Sequence, residues 1–218
     1  MLTGERTGSF RFRKEENTMN RKLAIASVVC LLALAVPAAA QQEGGMPQMT
    51  PEQQAEMEAY MKAGTPGEQH RMLAADAGTY DLKLKSWTDP AAPPSEGTGV
   101  AVRTVDLDGR VIVERVDATN MGMTFTGQSM TGFDNVSGKY WSTWTDSMST
   151  GLMVSEGTCD AKKVCTFYGS WNDPIKKGPV KARMVTRWTS PKTEVFEMYA
   201  PGRDGKEMKM MEITYTKR

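Results

Sequence analysis

The chain has 218 residues, 27 Lys and Arg against 26 Asp and Glu, and a formal net charge of +1. It therefore lacks the broad basic field that nucleic acid requires. A mean hydropathy of −0.46 with 39% hydrophobic residues suits a packed core and argues against a multi-span membrane protein. The length fits one ordinary domain, or two small ones at most.

Residues 1–18 read as an upstream extension without a structural signature. From Met19 the chain changes character: Asn20-Arg21-Lys22 is a positive start, Leu23 to Val36 is almost wholly apolar, and Pro37-Ala38-Ala39-Ala40 ends the run with small residues. This is the three-part pattern of a secretory signal peptide, here residues 19–40 with cleavage expected after Ala40. The run is too short for a comfortable membrane span, which needs roughly 20 residues; an uncleaved anchor is the alternative. Cys30 lies inside the run and follows no lipobox. Loss of residues 1–40 turns the charge balance slightly negative, and the expected location is extracytoplasmic, periplasmic or secreted.

Residues 41–49 are rich in Gln, Gly, Pro and Met, without periodicity, and read as a flexible leader. Thr50-Pro51-Glu52-Gln53 then offers an N-cap, a proline at the first helical position and a Gln at the third, predicting a helix over 51–63 with Gly64 as its stop. Together these make a leader-and-helix segment over 41–64. Thr65-Pro66-Gly67-Glu68 repeats the start signal for a shorter helix, carrying His70, Met72 and Leu73 to about Ala75.

After Gly78 the apolar period becomes two. Tyr80, Leu82 and Leu84 alternate with Asp81, Lys83 and Lys85, and Val180, Ala182, Met184, Thr186 and Trp188 alternate with mostly basic residues. Strand-like runs lie near 97–106, 110–119, 123–133, 139–147, 150–159, 164–171, 193–200 and 207–216. Asp108-Gly109, Asp134-Asn135, Ser137-Gly138, Pro201-Gly202 and Asp204-Gly205 mark turns between several of them. About ten successive short strands must hide their edges, and closing the sheet does so. The expected fold is all-β: an antiparallel up-and-down barrel over residues 65–218 with short N-terminal helices, a two-sheet sandwich being the alternative.

Without Cys30, only Cys159 and Cys165 remain, bracketing the polar turn Asp160-Ala161-Lys162-Lys163. An oxidising compartment, an even count and hairpin spacing favour a disulfide. A metal or redox pair is the competing reading, but the spacing is not that of thioredoxin-like sites.

Several motifs in order carry a family resemblance: Pro66-Gly67-Glu68-Gln69-His70, Leu73, Ala77-Gly78-Thr79-Tyr80, Gly132-Phe133-Asp134-Asn135, Trp141 to Met148, and Val195-Phe196-Glu197-Met198-Tyr199. Over about residues 65–218 the chain resembles the bacterial proteins grouped as domain of unknown function 1579, whose members look lipocalin-like. The resemblance implies a barrel and supplies no catalytic residues. Tyr80 stands where the family pattern has Trp, and the cysteine pair lies outside that pattern.

Small barrels commonly enclose a cavity for one small ligand. Tyr140, Ser142, Trp144 and Asp146 share one face of their strand and combine apolar walls with placed polar groups, as a pocket requires; the alternative is that Trp144 is core and Asp146 caps a turn with Ser147. With Tyr80, Met184 and Trp188 they form the expected lumen set. Glu197 and Glu212, amid apolar neighbours on the last two strands, join it as a carboxylate pair that could share a proton. Strand parity is ambiguous there, and solvated or salt-bridged carboxylates are the competing account.

His70 is the sole histidine, which excludes multi-histidine zinc sites and leaves a serine triad with one base. A helix-end or barrel-closing contact is its expected role. Met121-Gly122-Met123 and Met208-Lys209-Met210-Met211, among seventeen methionines, have spacings that could face Cu(I), yet methionine equally fills cores and permissive cavities. No metal or cofactor is expected. The leading functional expectation is a cell-envelope module binding a small apolar or amphipathic ligand in its lumen. The alternatives are a carboxylate-based hydratase, isomerase or lyase, and a packed structural or interaction module.

Overall fold

The computed structural model describes residues 49–218. The expected upstream extension, signal peptide and most of the leader fall in residues 1–48, outside the described residues.

Two helices come first, α1 (Pro51–Gly64) and α2 (Glu68–Ala75). The capping box read from the sequence forms at α1: Thr50 Oγ1 accepts from the Gln53 amide, and Gln53 Oε1 accepts from the Thr50 amide. No α1 residue is buried. The helix is tied to the barrel at its C-terminal end, where the Asn135 amide group donates to the Ala63 and Thr65 carbonyls and Arg110 donates to the Gly64 carbonyl.

Ten antiparallel strands follow: β1 (Gly78–Ser86), β2 (Ser95–Asp106), β3 (Val111–Asn120), β4 (Met123–Asp134), β5 (Lys139–Asp146), β6 (Met153–Cys159), β7 (Cys165–Asp173), β8 (Gly178–Ser190), β9 (Thr193–Pro201) and β10 (Glu207–Lys217). Each pairs with its sequence neighbours, and β1 pairs with β10, so the sheet closes into an up-and-down barrel. The single-barrel expectation is correct, and closure leaves no edge strand exposed.

Alternation decides what enters the lumen. Tyr80, Leu82 and Leu84 of β1 pack with Ala101, Val116, Ala118 and Tyr215 as the most deeply buried cluster. This fills the side of the lumen bounded by β1, β2, β3 and β10. On β4 to β7 the inward positions mix large side chains such as Phe125, Tyr140, Trp144 and Phe167 with a patch of small ones, Gly127, Ser129, Thr131, Ser142, Ser155 and Gly169. The lumen stays hollow over that small-residue patch. At Gly127 a Cβ would lie 2.3 Å from a ring carbon of Trp144, so glycine lets the indole lie against the wall.

The α2 helix covers one end of the barrel, together with the β2–β3, β4–β5, β6–β7 and β8–β9 turns. The other five connections form the opposite end. Cys159 and Cys165, in register across β6 and β7, are joined by a disulfide at the α2 end.

Candidate functional site

The lumen contains a cavity of about 1160 Å³ reaching from α2 to the opposite mouth. Its two long walls differ. On the β8–β10 side stand Met184, Trp188, Phe196, Met198 and Ile213. Across the lumen, β4, β5 and β6 contribute hydroxyl groups: Thr131 Oγ1 and Ser142 Oγ lie 2.8 Å apart, and Ser155 Oγ donates to the Ser142 carbonyl at 3.3 Å. This is an apolar chamber with a few fixed polar groups.

The α2 end carries a buried charge cluster that lines the same cavity. Arg103 of β2 binds Glu114 of β3 at 2.5 Å and Glu194 of β9 at 2.6 Å. Its guanidinium also stacks between the Tyr80 and Tyr215 rings, 4.7 and 4.6 Å from their centroids. Burial opposes its charge, but Glu114 and Glu194 outweigh that and hold Arg103 firmly protonated. Burial, reinforced by Glu114, raises the Tyr215 phenol well above its usual range. Asp76, just after α2, has its carboxyl pushed from 3.8 to about 6 by burial and by Glu194, against the opposing pull of Arg103 and Lys217. Lys217 donates to the Ala75 carbonyl at 3.1 Å, which ties the last strand to the α2 plug.

Of the residues expected in the lumen, Tyr140, Trp144, Asp146, Met184 and Trp188 line the cavity. Trp144 Nε1 donates to Asp146 Oδ2 at 2.8 Å, while Asp146 Oδ1 accepts from the Met148 amide at 3.0 Å. Asp146 thus orients an indole and closes a turn with the same carboxylate. Tyr80 points inward but sits in the packed cluster beneath Arg103, its hydroxyl donating to the Asp76 carbonyl at 2.6 Å; it supports the charge cluster without lining the cavity.

Glu197 and Glu212 do not enter the lumen, which corrects the expectation that placed them there. Phe196 and Met198 flank Glu197 and face inward, as Met211 and Ile213 do around Glu212, so both carboxylates belong to the outer face of the barrel, where Glu197 is buried among its ion-pair partners. Glu197 is ion-paired with Arg187 and Lys209, and Lys209 also reaches Glu212 at 2.7 Å. Burial raises the Glu197 carboxyl, but hydrogen bonds from Arg187 and Lys209 outweigh it and leave the group below its ordinary range. The salt-bridged reading is the one the geometry supports.

His70 is buried off the cavity. Its Nδ1 accepts from the Gly67 amide at 3.0 Å, and its ring stands edge-on to Phe133 with centroids 5.8 Å apart. Met121, Met123 and Met211 line the cavity at the mouth opposite α2. Among the described residues no three His, Cys, Asp or Glu side chains converge as a metal site.

The molecule is thus a closed, ten-stranded antiparallel barrel with a chamber inside, an architecture consistent with lipocalin-like proteins. The chain belongs to the family described as protein of unknown function (DUF1579), whose sequence profile matches residues 65–217. Comparison with characterised proteins gives no match.

Proposed function

We propose that the protein is an exported binding protein that holds one small amphipathic molecule in its lumen. The observation that carries this reading is the cavity of about 1160 Å³, large enough for a lipid-like ligand and polarised along its length. A charge cluster gathers at the α2 end, hydroxyls line one wall, and the remaining lining is mainly apolar, with Asn120, Asp146 and Asn172 among the polar groups near the opposite mouth. A ligand with a polar head beside Arg103 and Asp76 and an apolar tail toward the methionine mouth fits that polarity. The disulfide supports export to an oxidising compartment, as does the signal-peptide pattern of residues 19–40. Of the three carboxylates behind the enzymatic alternative, Glu197 and Glu212 face away from the lumen, and Asp146, which lines it, is engaged by Trp144 Nε1 and the Met148 amide.

Native mass spectrometry of the chain recovered from an oxidising compartment, with solvent extraction of bound material, tests the reading. A stoichiometric small molecule is expected. Ser142→Trp, which fills the hollow side, should abolish its retention, whereas Glu197→Gln on the outer surface should retain it. A ligand-free mass combined with failure to take up any apolar fluorescent probe would refute the proposal.

A further inference from the structure

Four large apolar side chains both line the cavity and stand exposed to solvent: Met121, Met123, Met148 and Leu152, at 48–60% exposure. A side chain that does both marks the rim of an opening. The rim is built from the β3–β4 turn and the loop between β5 and β6, at the end away from α2. Ile175, on the β7–β8 loop of the same end, is 90% exposed. Its loop is shaped by Asp173 Oδ1, which accepts from the Ile175 amide at 2.9 Å and the Lys176 amide at 2.7 Å.

Cations surround these tips. Lys176 and Lys177 follow Ile175, and Arg203 and Lys206 sit on the β9–β10 loop; among the described residues none of the four has an ion-pair partner. The carboxylates of Asp89, Asp146, Asp173 and Asp204 at this end accept from backbone amides of their own loops and keep their charge, and Glu96 and Glu207 lie there too, so the cations are distinguished by projecting unpaired and not by outnumbering the anions. Trp171 lines the cavity at this end, and Trp87 follows β1 there without lining it. Exposed apolar tips interleaved with unpaired cations and bordered by tryptophan are what a lipid interface accommodates: apolar groups enter the acyl boundary while cations meet anionic headgroups. The α2 end has cations too, but its exposed Leu107 and Val136 do not line the cavity, and neither do the exposed Met57, Tyr60 and Met61 of α1.

We propose that the methionine end of the barrel docks on an anionic lipid surface, so that the cavity opens into the lipid instead of into water. Docking stands on the geometry of this rim. Its consequence, that an amphipathic molecule enters the lumen tail-first from the lipid, rests on the ligand-binding reading above.

The test is co-sedimentation of the full chain with vesicles of phosphatidylcholine, with and without phosphatidylglycerol. Wild type is compared with Leu152→Gln/Ile175→Gln, Lys176→Glu/Lys177→Glu and, as a control away from the rim, Tyr60→Gln/Met61→Gln. All six positions are exposed, and circular dichroism checks that each chain is folded. Wild type and the α1 control should bind phosphatidylglycerol vesicles alike. The Lys176/Lys177 variant should bind more than about 25-fold more weakly, since each cation near such a surface contributes roughly fivefold and the substitutions also add two negative charges, and this difference should vanish in about 1 M salt, where screening acts within about 3 Å. The Leu152/Ile175 variant should lose binding at every salt concentration. Equal binding by all four chains, as residues 1–48 alone would give, overturns docking by the rim, as does absence of wild-type binding. Vesicle binding by a chain that takes up no probe leaves docking intact and refutes the ligand reading.

Discussion

Asp76 provides a direct measure of how dry the α2 end of the lumen is. Its carboxyl titrates at about 6 in the folded protein against 3.8 for an unhindered aspartate, chiefly because of burial. Folding therefore favours the protonated form. Below about pH 3 the side chain is protonated in both states and costs nothing; as pH rises through 3.8 toward about 6 the unfolded state releases its proton first, and stability falls. Above about 6 the full penalty is present. The separation corresponds to about 3 kcal/mol, an order-of-magnitude figure that already includes the attraction of Arg103 and Lys217. Asp76→Asn keeps the shape and removes the charge. The variant should match wild type at about pH 3 and exceed its stability by up to about 3 kcal/mol near pH 8, a rise in Tm of roughly 6–12 °C for a chain of this size. Paired urea titrations across this range isolate the residue, because depressed carboxyls such as Glu197 and Glu207 contribute equally to both chains. A difference independent of pH, or one that grows toward acid, would refute the reasoning.

Two further predictions concern stability. Arg103→Met strands Glu114 and Glu194 in the lumen and should cost about 3–5 kcal/mol, recovered in large part when both are also changed to Gln; a loss under about 1 kcal/mol, the size of an exposed pair, would show the cluster to be solvated. Replacing Cys159 and Cys165 by Ser should lower stability by about 2–3 kcal/mol, the entropy of so short a closed loop. The same loss should appear on reduction of wild type, measured by denaturant midpoints with and without reductant.

The fold was legible where strand alternation is clean. In β1 and β8 every second residue is apolar, and turn signals separate the strands, so ten strands and their closure could be read directly. The charge cluster could not. Arg103, Glu114 and Glu194 have inward parity, but an isolated charge on an alternating strand is ordinarily assigned to solvent, and its partners come from β2, β3 and β9. The available signal was Glu114 itself, which shares parity with Ile112 and Val116 in the run Val111-Ile112-Val113-Glu114-Arg115-Val116. Glu197 and Glu212 were ambiguous for a different reason. Val195 and Tyr199 share the outer face with Glu197, so apolar residues occur on both sides of β9, and an irregularity between Lys209 and Met211 interrupts the alternation of β10. Asp76 lies just past α2, where no periodicity exists to assign it inside or outside.

The pairing of β1 with β10 joins the two ends of the barrel's chain, whereas every other pair is a local hairpin. It is the one contact that must wait for the whole barrel sequence to emerge, and the heaviest packing is placed there: Tyr80, Leu82, Leu84 and Tyr215 lie across it, with Arg218 bound to Asp81 outside. The hydroxyl wall belongs instead to hairpins whose strands find each other locally. Substitutions at Thr131, Ser142 or Ser155 can thus reshape the chamber without touching the contacts that shut the cylinder, so the barrel can change its contents while keeping its closure.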